Sequence, residues 1–252
     1  MDKDGSAPRL RVGTSGWSYP HWHGVFYPPG LKAGDRLRHY MGFFDTVEVN
    51  VSFYRMPTDG TFRSWKATAS EGFCFAFKGH RYVTHLKKLQ GVEEHLDRFF
   101  VRTRLLGDAL GPILFQLPPY WKCNPGRLAS FLALLPMDLR LAVEFRNASW
   151  LTEEVFAILE KRGAAFCISS LPDLTCPLRA TAPFVYIRFH GAQQLYAGRY
   201  HEDELRWWTE QISSFLAEGL DVYAYFNNDA HGYAVENALQ LKKMLRSGQH
   251  GG

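Results

Sequence analysis

No run in this chain approaches the ~20 consecutive apolar residues that a bilayer-spanning helix needs. The opening segment, MDKDGSAPRL, lacks the apolar stretch of a secretory signal. The four cysteines, Cys74, Cys123, Cys167 and Cys176, are scattered without a C-x-x-C pair. That argues against both a cysteine-based zinc site and a disulfide framework. Cys74 and Cys167 lie inside apolar runs and read as small buried hydrophobes. Together these absences lead to the expectation of a soluble, cytoplasmic protein with no membrane partner. No strand-like run is followed by G-x-G-x-x-G or by G-x-x-x-x-G-K-[ST], so no nucleotide cofactor is expected. Surplus charge is also small: 29 basic against 25 acidic residues leave +4, which permits an anionic partner without requiring one.

What is present is an ordinary globular composition, 46% hydrophobic and 21% charged, which excludes a disordered or coiled-coil chain. The 252 residues suit one large domain or two ordinary ones. Eight β-rich runs occur at 10–17, 46–54, 73–80, 111–118, 139–147, 164–170, 183–191 and 221–229. Their starts lie 19 to 38 residues apart, too wide for hairpins and suited to strand–helix–strand crossovers. Helical patterns fill most gaps, at 92–106, 152–162, 202–218 and 233–246. Thr152 reads as an N-cap and Gly163 as the residue that ends its helix. The segment LPDLTCPLRATA after the sixth run carries two prolines and predicts an irregular crossover. Eight such units predict a single (β/α)8 TIM barrel over residues 9–247, with 1–8 and 248–252 as flexible tails. An open doubly wound sheet is the alternative, weakened by the missing nucleotide-binding turns.

A barrel carries its active site at the C-terminal ends of its strands, where inward positions alternate. In this sequence those ends are polar: Glu48, Asn50 and Tyr54; Lys78 and His80; Gln116; Glu144 and Arg146; Ser169; Arg188 and His190; Asn227 and Asn228. Trp17 closes the first strand. Any one of these is usually a solvated rim residue. Burying them all without partners would cost about 1–3 kcal/mol each, so their recurrence predicts a pocket.

Lys78, Arg146 and Arg188 supply cations that match a phosphate or carboxylate. The expected partner is therefore a small anionic, phosphate-bearing substrate, or part of a nucleic acid. Glu48 or Glu144 would serve as general base and His190 or His80 as acid, with hydrolysis of a phosphoester as one outcome. Trp17, Asn50, Tyr54, Gln116, Asn227 and Asn228 complete the expected substrate wall. A divalent metal on Glu48, His80, Glu144, His190 and Asp229 is conceivable but not favoured, since three cations would repel it. Two further readings stay open. Glu48 and Glu144, facing each other at about 7–9 Å, would fit an inverting glycoside hydrolase or a sugar isomerase. Interleaved cations and aromatics (Arg55, Arg81, His85, Lys87, Lys88, Tyr196, Arg199, Tyr200) would fit a non-enzymatic nucleic-acid binder.

The stretches VGTSGWSYPHWHGVFYP (12–28), FDTVEVNVSFYRMP (44–57), LFQLPP (114–119), AVEFRNASW (142–150), YIRFHGAQQLYAGRY (186–200) and YAYFNNDAHGYAVENALQL (223–241) resemble the YecE-like family, a group of unknown function. The resemblance spans nearly the whole chain and implies a TIM barrel. It also implies a relationship to the endonuclease IV and xylose isomerase barrels, which rely on His and carboxylate metal ligands. Here Lys78, Gln116 and Arg188 stand at neighbouring strand ends instead, which speaks against a three-metal nuclease mechanism.

Overall fold

A computed structural model of the chain describes residues 7–191 and 195–248. Eight parallel strands run β1 (Leu10–Thr14), β2 (Thr46–Val49), β3 (Cys74–Lys78), β4 (Leu110–Gln116), β5 (Leu141–Glu144), β6 (Ala165–Ser170), β7 (Phe184–Phe189) and β8 (Asp221–Phe226). Their order around the sheet is β1-β8-β7-β6-β5-β4-β3-β2, the circular order of a TIM barrel. Helices α1 (Arg36–Met41), α2 (Val51–Tyr54), α3 (Asp59–Thr68), α4 (Glu93–Thr103), α5 (Pro125–Ala133), α6 (Glu153–Arg162), α7 (Glu202–Ala217) and α8 (Tyr233–Gly248) are interleaved with them.

The period of two sorts every strand into two layers. One set, including Val47, Phe75, Phe77, Ile113, Phe115, Val143, Ile168, Ile187 and Phe226, packs outward in the main core beneath the helices. The other set fills the barrel: Cys74, Ala76, Leu114, Ala142, Ala165, Cys167, Phe184, Tyr186, Tyr223 and Tyr225. Bulk is distributed unevenly there. Tyr186 and Tyr225, with rings 5.2 Å apart, share the interior with Ala76, Ala142 and Ala165. Continuing each inward series by two residues gives Lys78, Gln116, Glu144, Ser169, Arg188 and Asn227, so the polar mouth is the strand period carried one step further.

Closure between β1 and β2 differs from the other seams. It has a single parallel bridge, Ser15 to Glu48, with Gly16 N donating to Glu48 O at 2.8 Å. Below it, the Tyr40 phenol from α1 enters the seam. It accepts from Thr14 N at 2.9 Å and donates to Thr46 O at 3.1 Å. Gly13 is required at this approach, since a Cβ there would lie 2.3 Å from Thr46 O. The barrel is therefore nearly closed, with one phenol taking the place of ladder bonds.

The helix signals act where the sequence places them. Thr152 Oγ1 accepts from Val155 N, and Gly163 ends α6 at φ 66°. The β6–β7 connection contains no helix, as the prolines suggest. Its cover comes from Thr181, which bonds Phe166 N and Ala164 O at 2.7 Å, and from Arg179, which pairs with Glu153 and Glu160.

Two expectations change. The second run does not extend to 54. β2 stops at Val49, Asn50 turns helical (φ −96°, ψ −16°), and Val51–Tyr54 forms the short α2. Ser52 Oγ reaches Lys78 O at 2.7 Å, and Phe53 packs inward, so tertiary contacts override the strand-like composition. In addition, the last turn of α8 extends to Gly248. The remaining expected tail residues, 1–6 and 249–252, lie outside the described residues.

Candidate functional site

The centre of the barrel mouth is a guanidinium between two carboxylates. Arg188 Nη1 donates to Glu144 Oε2 and Nη2 to Glu48 Oε2, both at 2.7 Å. Glu48 and Glu144 are fully buried, and Arg188 is 1% exposed. Glu48 also accepts from Ser15 Oγ at 2.5 Å and Tyr186 OH at 2.9 Å. Glu144 Oε1 accepts from Arg146 Nε at 2.5 Å, His190 Nε2 at 2.9 Å and Ser169 Oγ at 3.2 Å. The expected facing pair of glutamates is thus bridged by Arg188.

Burial alone would raise both carboxyls. For Glu48, Arg188, with Ser15 and Lys78, outweighs it and holds the group below its ordinary value. For Glu144, Arg146, Arg188 and His190 hold it well below. His190 moves the other way: burial, against the opposing pull of Glu144, lowers it to about 3. The ring is then neutral. Its Nε2 lies 2.9 Å from both Glu144 Oε1 and Arg146 Nη2, and its Nδ1 lies 3.2 Å from Asn227 Nδ2. The two glutamates and two arginines sum to zero charge.

Lys78 stands beside this cluster as a further ionisable group. Its Nζ lies 4.1 Å from the Phe53 ring centroid and makes no ion pair among the described residues. Burial and the nearby Arg188 lower its pKa to about 7, against the pull of Glu144 and Glu48. Arg188 Nε and Asn50 Oδ1 are buried without a hydrogen-bond partner among the described residues.

Above these groups opens a cavity of about 470 Å³. Lys78, Arg188, Asn50, Tyr54 and Asn227 line it, joined by Tyr19, His21, Tyr196, Asp229 and Ala230. A second cavity of about 350 Å³ adjoins it, walled by Trp17, Tyr19, Asn50, Tyr54 and Trp65. Asp229 is anchored on the wall by Trp22 Nε1 at 2.9 Å and His21 Nε2 at 2.8 Å.

The remaining expected residues sit elsewhere. His80 is half-buried and does not line the cavity; its Nδ1 accepts from Tyr82 N at 3.1 Å, and its ring packs on His95. Gln116 Nε2 donates to Leu117 O at 3.1 Å, in register with Glu144. Asn228 points away from Asn227: its Nδ2 reaches Gly198 O at 2.9 Å and Asn237 Oδ1 at 3.0 Å. Asn237 in turn bonds both backbone polar groups of Tyr200, pinning the loop after β7. Three successive residues of the F-N-N-D turn therefore serve cavity, loop and first-strand loop. Sequence reasoning misses Ser15 and Tyr186 as Glu48 partners. Tyr186 was accessible through spacing, two residues before Arg188. Ser15 required the β1–β2 seam.

Among the described residues no group of three or more His, Cys, Asp or Glu is arranged to hold a metal ion, and no helix is long and apolar enough to cross a membrane.

Comparison with known proteins follows the same lines. Residues 11–251 match the family described as protein of unknown function DUF72. The chain is 27% identical to the UPF0759 protein YunF of Bacillus subtilis, covering 94% of each. It is 26% identical to the UPF0759 protein YecE of Escherichia coli over 55% of this chain and 48% of that one. A DUF72 family protein of Thermotoga maritima has a crystal structure that superposes with a TM-score of 0.87 at 31% identity, covering 94% of this chain and 99% of that one. A D-psicose 3-epimerase shares the fold at a TM-score of 0.57 and 11% identity, covering 95% of this chain and 97% of that one. On the match over residues 11–251 and the likeness to the Thermotoga protein, the chain belongs to the DUF72 family.

Proposed function

We propose that the cavity at the strand C-terminal ends binds a small phosphate-bearing organic anion. The observation that carries this reading is two buried polar atoms without a partner among the described residues, Arg188 Nε as a donor and Asn50 Oδ1 as an acceptor, on residues that line the cavity beside Lys78 Nζ. Buried polar atoms without partners are rare in folded proteins and mark places where another molecule completes the bonding. Two donors on cationic groups ask for anionic oxygens, and the lone acceptor asks for a hydroxyl. Charge around the inner end of the cavity agrees with this: Glu48 and Glu144 balance Arg146 and Arg188, so a protonated Lys78 adds a positive charge there, while Asp229 lies on the outer wall bonded to His21 and Trp22. A volume of about 470 Å³ is that of a small-molecule site rather than of a polymer groove.

In this reading Glu48, Glu144 and Arg146 hold Arg188 rigid, and His190 completes the frame. Carboxylates held this low and saturated with donors are weak bases, and a neutral His190 is a poor acid near pH 7. Lys78 is the group that can gain or lose a proton there. Turnover, if the site hydrolyses a phosphoester, would depend on Lys78 more than on either glutamate.

The test is titration calorimetry with inorganic phosphate, glycerol 3-phosphate and uncharged glycerol. Binding of both anions but not of glycerol, reduced at least tenfold in Lys78→Met, is expected. Equal affinity for glycerol, or anion binding unchanged in Lys78→Met, would overturn the reading. An oligonucleotide that outcompetes both small anions would favour the nucleic-acid alternative.

A further inference from the structure

We infer that Lys78 is a covalent nucleophile and that the cavity takes carbonyl compounds, an aldehyde or ketone bearing the phosphate, as reversible imines. The inference rests on the phosphate reading for the substrate's charge and on separate geometry for its reactive carbon.

That geometry is the isolation of one amine. A surface lysine is held in its charged form by water and carboxylates. Lys78 Nζ instead lies against the face of Phe53, on the wall of an open cavity, without an ion-pair partner among the described residues. The two carboxylates that would capture it are already held by Arg188 and Arg146. The clamp on Arg188 thus has a second effect: it holds Glu48 and Glu144 away from an ion pair with the ammonium, while Arg188 and Arg146 oppose its charge. Desolvation plus a neighbouring cation is the general means by which a lysine amine becomes nucleophilic near neutral pH. The groups facing Lys78 are Glu48 from β2, Glu144 from β5 and Arg146 just beyond it, Arg188 from β7 and His85 from the turn after β3.

The chemistry balances without a cofactor. The neutral amine's lone pair forms a bond to the carbonyl carbon, and the carbonyl oxygen becomes the carbinolamine hydroxyl. Loss of that oxygen as water forms the C=N bond, and one proton taken from solvent gives the iminium. The iminium nitrogen keeps one N–H and one positive charge, so the cavity still offers a cation to the phosphate. Neighbouring walls suit the incoming molecule: Asn50 Oδ1 is free to accept from a hydroxyl, and Arg188 Nε is free to donate.

The experiment uses the wild-type full chain with D-glyceraldehyde 3-phosphate at limiting concentration and sodium cyanoborohydride, which traps an imine as a secondary amine. Peptide mass mapping then gives the labelling rate at every lysine. At pH 7 about half of Lys78 is neutral, against well under one in a thousand of an ordinary lysine, so on neutral fraction alone Lys78 should react on the order of a thousandfold faster. That preference should shrink above pH 9 as the others deprotonate. Inorganic phosphate should slow labelling at Lys78 alone. Labelling spread evenly over the surface lysines, while phosphate still binds by calorimetry, would overturn the imine and leave the anion pocket standing. Selective labelling by uncharged glyceraldehyde as fast as by its phosphate ester would uphold the nucleophile and overturn the phosphate reading.

Discussion

Arg188→Met is the most informative single perturbation of the fold. The side chain is 1% exposed and supplies one 2.7 Å charge-assisted bond to each of two fully buried carboxylates. Without it, Glu144 keeps Arg146 and His190, whereas Glu48 keeps only the neutral donors Ser15 and Tyr186. Glu48 therefore dominates the outcome. Removing one partner from a buried ion pair costs about 3–5 kcal/mol, because the remaining charge is left uncompensated. At roughly 2–4 °C per kcal/mol for a chain of this size, Tm should fall by about 6–20 °C at pH 7.5. The pH dependence then separates a charge effect from a packing effect. In the wild type the lowered Glu48 carboxyl contributes stability above the unfolded value of about 4.3, which is lost as pH falls through the lower folded value. In the variant, burial without Arg188 lifts that carboxyl above about 4.3. The penalty is then absent below that pH and grows as pH rises. The deficit relative to wild type, measured by urea denaturation, should shrink from pH 7.5 to pH 5. Adding Glu48→Gln should recover part of it. A deficit under about 1 kcal/mol, or one equal at both pH values, would refute the argument.

Three more outcomes follow from other elements. Lys78→Met should raise stability at neutral pH. With a folded pKa near 7, the wild type gains stability as pH rises from about 7 toward 10.5, and the variant should lose that rise, an effect on the order of a few kcal/mol in urea titrations. Tyr40→Phe removes a phenol that both accepts and donates at the β1–β2 seam. It should destabilise by about 1–3 kcal/mol and speed hydrogen exchange at the Thr14 amide selectively. Thr152→Ala should cost about 1 kcal/mol through the lost cap of α6 and leave anion binding unchanged, which calorimetry can read beside thermal melting.

How much was legible follows the physical range of each signal. Alternation along a strand is local, so the sequence alone places Glu48, Lys78, Glu144 and Arg188 at inward strand ends, and the eight-unit spacing predicts the barrel that brings them together. Caps and glycines are equally local, and Thr152, Gly163 and the helix-free crossover follow from them. The reach of such signals ends where partners are distant in sequence. That Phe53 turns out of β2 to pack under Lys78 depends on contacts between two strands. That Asn227 faces the cavity while Asn228 ties down the loop after β7 depends on Asn237 in α8.

The sequence by itself determined the fold class, the polar mouth and its charge types, because periodicity and composition need no partner. Only the tertiary structure decided what those charges do. Arg146 and Arg188, counted along the chain, are free cations; in the barrel their guanidiniums are held by Glu48 and Glu144. Of the three cations at the mouth, Lys78 is left without an ion pair among the described residues, and burial weakens its hold on its proton because the ammonium has lost water without gaining a carboxylate there. Charge is a property of the residue, but its availability is a property of the neighbours that closure of the barrel supplies.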